Sequence, residues 1–79
     1  MSNAWETTID DVENVLVSMG INGVSEEKLE EITDFKIDHV AIEKAALYGE
    51  SMEKQTDYAY EEIEKQLNLF GGVRELING

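Results

Sequence analysis

His39 is the only imidazole in this 79-residue chain. Glu43 follows it by one helical turn, near enough in a helix to share a hydrogen bond, but such a pair is common on protein surfaces and does not define an acid–base site. The chain has no cysteine, which removes thiolate metal sites, cysteine nucleophiles and disulfides together. Its carboxylates lack the Asp-x-Asp-x-Asp-Gly frame of a calcium loop, and no Glu-x-x-His pair of a di-metal bundle occurs. The C-terminal stretch GGVRE lacks both the lysine and the preceding strand of a phosphate-binding loop. These residue types predict no catalytic residue, no metal site and no cofactor, and so no enzyme.

Charge is the stronger signal. Asp and Glu number 18 against 6 Lys and Arg, for a formal charge of −12. Such a surface repels nucleic acid and anionic membrane and draws in basic partners from a distance. Direct nucleic-acid binding needs clustered Lys and Arg and is not expected. The densest acidic run is ESMEKQTDYAYEEIEKQL, residues 50–67. At about 100° per residue, Glu50, Glu53, Asp57, Glu61 and Glu64 fall within an arc of about 80°. They form a ridge whose neighbouring carboxylates lie ~5–6 Å apart, a spacing of the same order as phosphates along one nucleic-acid strand. Tyr58 projects away from the apolar stripe of this helix and Tyr60 borders that stripe. Because tyrosine is enriched at interface hot spots, Tyr58 is the expected contact anchor. A second acidic patch, Glu26, Glu27, Glu30 and Glu31, comes from EEKLEE. A merely solvated helix face has the same appearance. Glu50–Lys54 and Glu61–Lys65 have the favourable i,i+4 order, each worth ~0.2–0.5 kcal/mol, and would dilute the ridge.

The elements that hold these residues read as helices throughout. No proline interrupts the chain, which favours helices joined by short loops. Residues 8–19 predict a first helix, capped by Thr7 or Thr8, with Asp10 and Asp11 in its first turn and an apolar stripe of Ile9, Val12, Leu16 and Met19. Gly20 is placed to end it, and Asn22-Gly23 marks a turn. Ser25 caps a short second helix ending near Thr33, with Val24 and Leu29 at the spacing of a hydrophobic staple and Leu29 and Ile32 facing inward. Asp34 or Asp38 starts a third helix that reaches about Tyr48. Its apolar residues, from Phe35, Ile37, Val40 and Ala41 to Ile42, Ala45, Ala46, Leu47 and Tyr48, nearly encircle it. That pattern predicts a helix in the middle of a bundle, with Lys36, His39 and Glu43 as its wet side. Gly49 ends or kinks this helix. A fourth covers residues 51–69 with a core stripe of Met52, Thr56, Ala59, Ile63, Leu67 and Phe70. Gly71-Gly72 breaks it, and residues 73–77 add a last turn.

The expected fold is therefore all-α, a compact bundle of four to five short helices in a single domain spanning residues 1–79. At this length the core is thin, since folding buries little more than ~60% of the surface the unfolded chain exposes. Residues 1–7 are expected to be flexible. Residues 1–4 (MSNA), of a kind an expression vector leaves behind, carry no weight. No apolar run approaches the ~18–20 residues of a membrane span, and no basic region followed by an apolar block opens the chain. The expectation is a cytoplasmic protein without membrane partners, a monomer or weak dimer.

Two resemblances bear on function. LVSMGI, Leu16 to Ile21, resembles the Met-Gly-hydrophobic loop of ubiquitin-associated domains. It covers six residues, and TDFKID lacks the Asn-rich turn such a domain has before its third helix; Met19 reads more simply as a core residue and Gly20 as a helix stop. In size, acidity and lack of catalytic motifs, the whole chain resembles the small all-α proteins with which phages block host defences, such as anti-CRISPR proteins and other DNA mimics. No family motif is matched and no residue role carries over. The resemblance implies a stoichiometric inhibitor that occupies the nucleic-acid path of a CRISPR effector or a similar basic protein or nucleoprotein complex. The alternative is a structural or adaptor module, antitoxin-like or an assembly subunit, with an apolar contact built from exposed members of Trp5, Phe35, Ile42 and Phe70.

Overall fold

Thr8 and Asp11 open the first helix by capping it reciprocally. In the computed structural model, which describes residues 5–69, the Thr8 hydroxyl accepts from the Asp11 N–H at 3.3 Å. Asp11 Oδ2 accepts in return from the Thr8 N–H at 2.9 Å, a capping box that satisfies two otherwise orphaned groups. Helix α1 spans Ile9–Ser18 and buries Val12, Val15 and Leu16, with Ile9 and Met19 packed at the edge of the core. Gly20 ends it at a φ of 86°, a left-handed conformation that side chains disfavour.

Ser25 caps α2, Glu26–Glu31, by accepting from the Lys28 N–H at 3.2 Å. Leu29 is buried and Val24 packs beside the core, as the staple spacing predicts. The chain does not leave the helix near Thr33. It widens instead into a π-helix over Ile32–Lys36, which buries Ile32 and Thr33 and turns Phe35 outward. Asp38, rather than Asp34, caps α3 (His39–Ala46), its Oδ1 accepting from Val40 N–H at 3.0 Å and Ala41 N–H at 3.2 Å. Gly49 stands in the turn that follows, so α3 ends there and does not kink. A Cβ on Gly49 would run into the backbone of Lys54 and Gln55, within 2.7 Å of Gln55 Cα. Only glycine allows the turn to lie so close to the next helix. Ser51 then caps α4, Met52–Asn68, by accepting from the Lys54 N–H at 3.2 Å.

The centre of this bundle is α4, not α3. Helix α4 packs along α3 and also against α1, while α2 and the π-helix rest on α1. Ala59, Ile63 and Leu67 are wholly buried and meet Val12, Leu16, Ile32 and Ile42 in one core. The expectation of a central third helix fails for a geometric reason. Helix α3 has only eight residues and buries a single arc, Ile42 and Ala46. Val40 and Leu47 lie on the opposite arc of the wheel and are each 59% exposed. Tyr48 is also exposed. Met52 has core register but stands at the first position of α4, where it is 74% exposed. Phe70, the Gly71-Gly72 break and the last turn over residues 73–77 lie outside the described residues. At the other end, Trp5 and Thr7 pack onto the bundle. Thr7 is buried, its hydroxyl accepts from the Trp5 indole N–H at 3.0 Å, and Trp5 meets Tyr60 edge to face with ring centroids 6.4 Å apart.

Gln66 is a polar side chain within the apolar seam, and its amide is fully used. Its Oε1 accepts from the Asp38 N–H at 2.6 Å, while its Nε2 donates to the Asp38 carbonyl at 3.2 Å and to Glu62 Oε2 at 3.1 Å. The start of α3 is thereby fastened to α4 through paired backbone hydrogen bonds. Thr33 shows the opposite situation: it is buried, and its hydroxyl has no partner, a cost that an apolar isostere would avoid. Gln66→Ala is therefore expected to destabilise the fold by about 2 kcal/mol, and Thr33→Val to stabilise it by about 1 kcal/mol. The urea unfolding midpoints of the two variants should move in opposite directions from that of the parent.

Candidate interaction surface

Helix α4 positions the acidic ridge because its 17 residues run without a break from Ser51, its N-cap, to Leu69, its C-cap. The core stripe Ala59–Ile63–Leu67 fixes which face turns inward. Glu53, Asp57, Glu61 and Glu64 are all exposed and share one arc of about 80°. Glu50 does not belong to that arc. It precedes the cap Ser51, so helical phasing does not apply to it, although it too is exposed. The pairing Glu50–Lys54 is lost as a helical pair for the same reason, and Glu61–Lys65 does not close either. Among the described residues, the ion pair within 4.0 Å is Lys28–Glu31, at 3.2 Å on α2. Among the described residues, no cation within 4.0 Å neutralises the ridge carboxylates.

The second patch is also exposed, at Glu26, Glu27, Glu30 and Glu31, with Glu31 engaged by Lys28. It sits on α2, which rests on α1 and the π-helix, whereas the ridge sits on α4. The two patches are carried by different layers of the bundle.

The two tyrosines separate as their spacing predicts. Tyr60 borders the core and ties α4 to α1, its hydroxyl donating to Asp11 Oδ1 at 2.8 Å and accepting from Asn14 Nδ2 at 3.3 Å. Tyr58 turns the other way, into a cleft of about 420 Å³ between α3 and α4, lined by Ala45, Tyr48, Tyr58, Glu61, Glu62 and Lys65. Glu61 therefore belongs to both the ridge and the cleft. Charge alone does not point to Tyr48, whose spacing places it in the apolar girdle of the third helix, or to Glu62, which is off the ridge. A signal for the cleft wall is present: Tyr58, Glu62 and Lys65 recur at steps of four and three along α4, a second stripe beside the ridge.

His39 does not pair with Glu43. Its Nε2 faces the Thr33 carbonyl oxygen at hydrogen-bond distance, and since a carbonyl can only accept, that nitrogen carries the proton. The imidazole closes the end of the π-helix. Among the described residues no group of three or more His, Asp or Glu converges in a way that could hold a metal ion, and no helix is long and apolar enough to cross a membrane. Comparison with protein-family models, with curated proteins and with solved structures finds no match.

Burial raises the Tyr60 hydroxyl above its ordinary value of 10.0; Asp11 and Asp10 add to the rise and the Asn14 hydrogen bond offsets part of it. The phenol form is thus favoured in the folded state. Its contribution to stability is complete below pH 10, declines as the pH rises from there through the raised folded value, and is absent above it. Tyr60→Phe, which cannot ionise, should lose less stability than the parent between neutral pH and alkaline pH beyond 10. Denaturation midpoints measured across that range read the difference directly.

Proposed function

We propose that this protein is a non-enzymatic, acidic protein-binding inhibitor of the kind phages and mobile elements deploy, blocking the nucleic-acid-binding surface of a basic target by charge mimicry. One observation carries the reading: Glu53, Asp57, Glu61 and Glu64 stand exposed along one face of α4, with no lysine of the described residues within 4.0 Å of any of them. A rigid row of carboxylates that no described lysine pairs keeps its field outside the protein, where it can steer a Lys- and Arg-lined groove onto itself. Exposed Glu50 adds a carboxylate just before the helix, outside the row, and Tyr58 stands beside the ridge as an aromatic anchor. The target fitting this chemistry is a basic protein or nucleoprotein complex that handles nucleic acid, a CRISPR effector among them. Steering by charge makes the binding steeply dependent on ionic strength.

The exposed apolar residues on and around α3 favour a second reading, an adaptor or assembly subunit. Of the residues considered for an apolar contact, Ile42 is wholly buried, Trp5 is occupied by Tyr60, and Phe70 lies outside the described residues. Phe35 remains, at 80% exposed, joined by Val40, Leu47 and Tyr48. Self-association that rises with concentration and survives high salt would mark this reading.

Inhibition predicts that a basic nucleic-acid-handling target is captured from host lysate at about 50 mM salt and largely lost by about 200 mM. Duplex nucleic acid should compete with the capture. Reversing charge at Glu53, Asp57 and Glu61 together should weaken binding to the purified target by at least about tenfold. Salt-insensitive binding, or binding unchanged by that triple substitution, would remove the ridge from the explanation.

A further inference from the structure

The cleft between α3 and α4 combines two chemistries that the ridge does not. Ala45 of α3 and Tyr48 of the turn after it line one wall, and Tyr58, Glu61, Glu62 and Lys65 line it from α4. Tyr48 is 82% exposed and Tyr58 37% exposed. Among the described residues the aromatic pair is Trp5–Tyr60, so neither cleft tyrosine has its ring packed against another. Glu62 is oriented by the hydrogen bond from Gln66 Nε2, and Gln66 is itself fastened to the Asp38 backbone. That carboxylate is therefore held in place before any partner arrives.

We propose that this cleft receives the guanidinium group of one arginine from the basic protein partner, an inference that rests on the inhibitor reading above. Charge complementarity selects a cation, since Glu61 and Glu62 outnumber Lys65 on the walls. The aromatic walls select which cation. A guanidinium is planar and weakly hydrated, so it stacks on a tyrosine face and directs its N–H fork toward carboxylates in the same plane. A lysine ammonium supplies equal charge but is a compact, strongly hydrated point that cannot do both. Lys65 limits the occupancy. It forms no ion pair within 4.0 Å among the described residues, so its charge opposes a second cation in the same space. The ridge then contributes long-range attraction, and the cleft contributes the choice of arginine over lysine.

Hexa-arginine and hexa-lysine peptides, each titrated into the full chain at low salt, separate the two contributions. The arginine peptide is expected to bind at least about threefold more tightly, the scale of an exposed cation–π contact. Tyr48→Ala should abolish that ratio while leaving hexa-lysine affinity unchanged. Its side chain is exposed, so the fold does not depend on it, and Tyr58→Phe, which keeps the ring, should preserve the ratio. Lys65→Met should strengthen arginine binding more than Lys54→Met, which removes the same charge away from the cleft walls. Equal affinity for the two peptides, or a ratio that survives Tyr48→Ala, overturns the cleft. Glu53→Gln with Asp57→Asn tests the ridge separately: it should weaken both peptides equally and leave the ratio intact. If those two substitutions change nothing while the ratio persists, the ridge reading fails and the cleft stands. Failure of both peptides to bind overturns both.

Discussion

A buried amide must find partners for its oxygen and both of its hydrogens, and in this bundle Gln66 finds all three. Leaving any of them unmet would cost on the order of 1–3 kcal/mol, a large fraction of what so small a domain has in reserve. The requirement fixes where Asp38 can sit, because its backbone supplies two of the three partners. Asp38 in turn caps α3, so the position and direction of α3 against α4 follow from one side chain. The third partner, Glu62, is a wall of the cleft. Core, cap and surface thus meet at a single residue, which explains why a polar group is kept in a seam otherwise made of Ala59, Ile63 and Leu67.

The distribution of charge follows from the same economy. Eighteen carboxylates on a short chain cannot all find cations within it, and the lysines available are spread rather than matched to the acids. Local hydrogen bonds absorb some of the acidity: Asp11 serves the cap of α1 and the hydroxyl of Tyr60, and Asp38 serves the cap of α3. Those carboxylates are structural. Among the described residues, the acids of the ridge perform no such task, and that contrast, rather than the total charge, separates a surface available to a partner from one engaged in folding.

Local signals were legible in the residues to a fine level. Thr8, one of two candidates, and Ser25 cap where their types and the following apolar periods place them, and Gly20 terminates α1 as its position suggests. Tyr58 and Tyr60 diverge as their phases require. What could not be read was which face of an apolar segment finds a neighbour. The girdle of α3 is a property of the segment alone, whereas burial depends on how many elements reach it, and a two-turn helix beside α4 meets too few. Glu50 failed for a related reason, since a helical wheel assumes a helix and α4 begins only after its cap, Ser51. Gln66 carried only a faint signal, a polar type at a core phase, because its partner is backbone and leaves no trace in side-chain identity. The cleft needed the same missing knowledge of how α3 and α4 lie together.

The π-helix has a consequence for the length of the chain. In α-helical register, positions 29, 32, 33 and 36 would share one face, placing Lys36 in the core. Closing hydrogen bonds five residues apart delays the phase by one position, so that Ile37 is buried and Lys36 is not. Ile32–Lys36 therefore carries one residue more than an ordinary turn would need to reach the same inward point. The surplus is taken up by the outward excursion at Phe35. Loss of that residue would restore the α-helical phase and bring the isoleucine to the same place. At this segment the chain can shorten by a residue without shifting every core contact downstream.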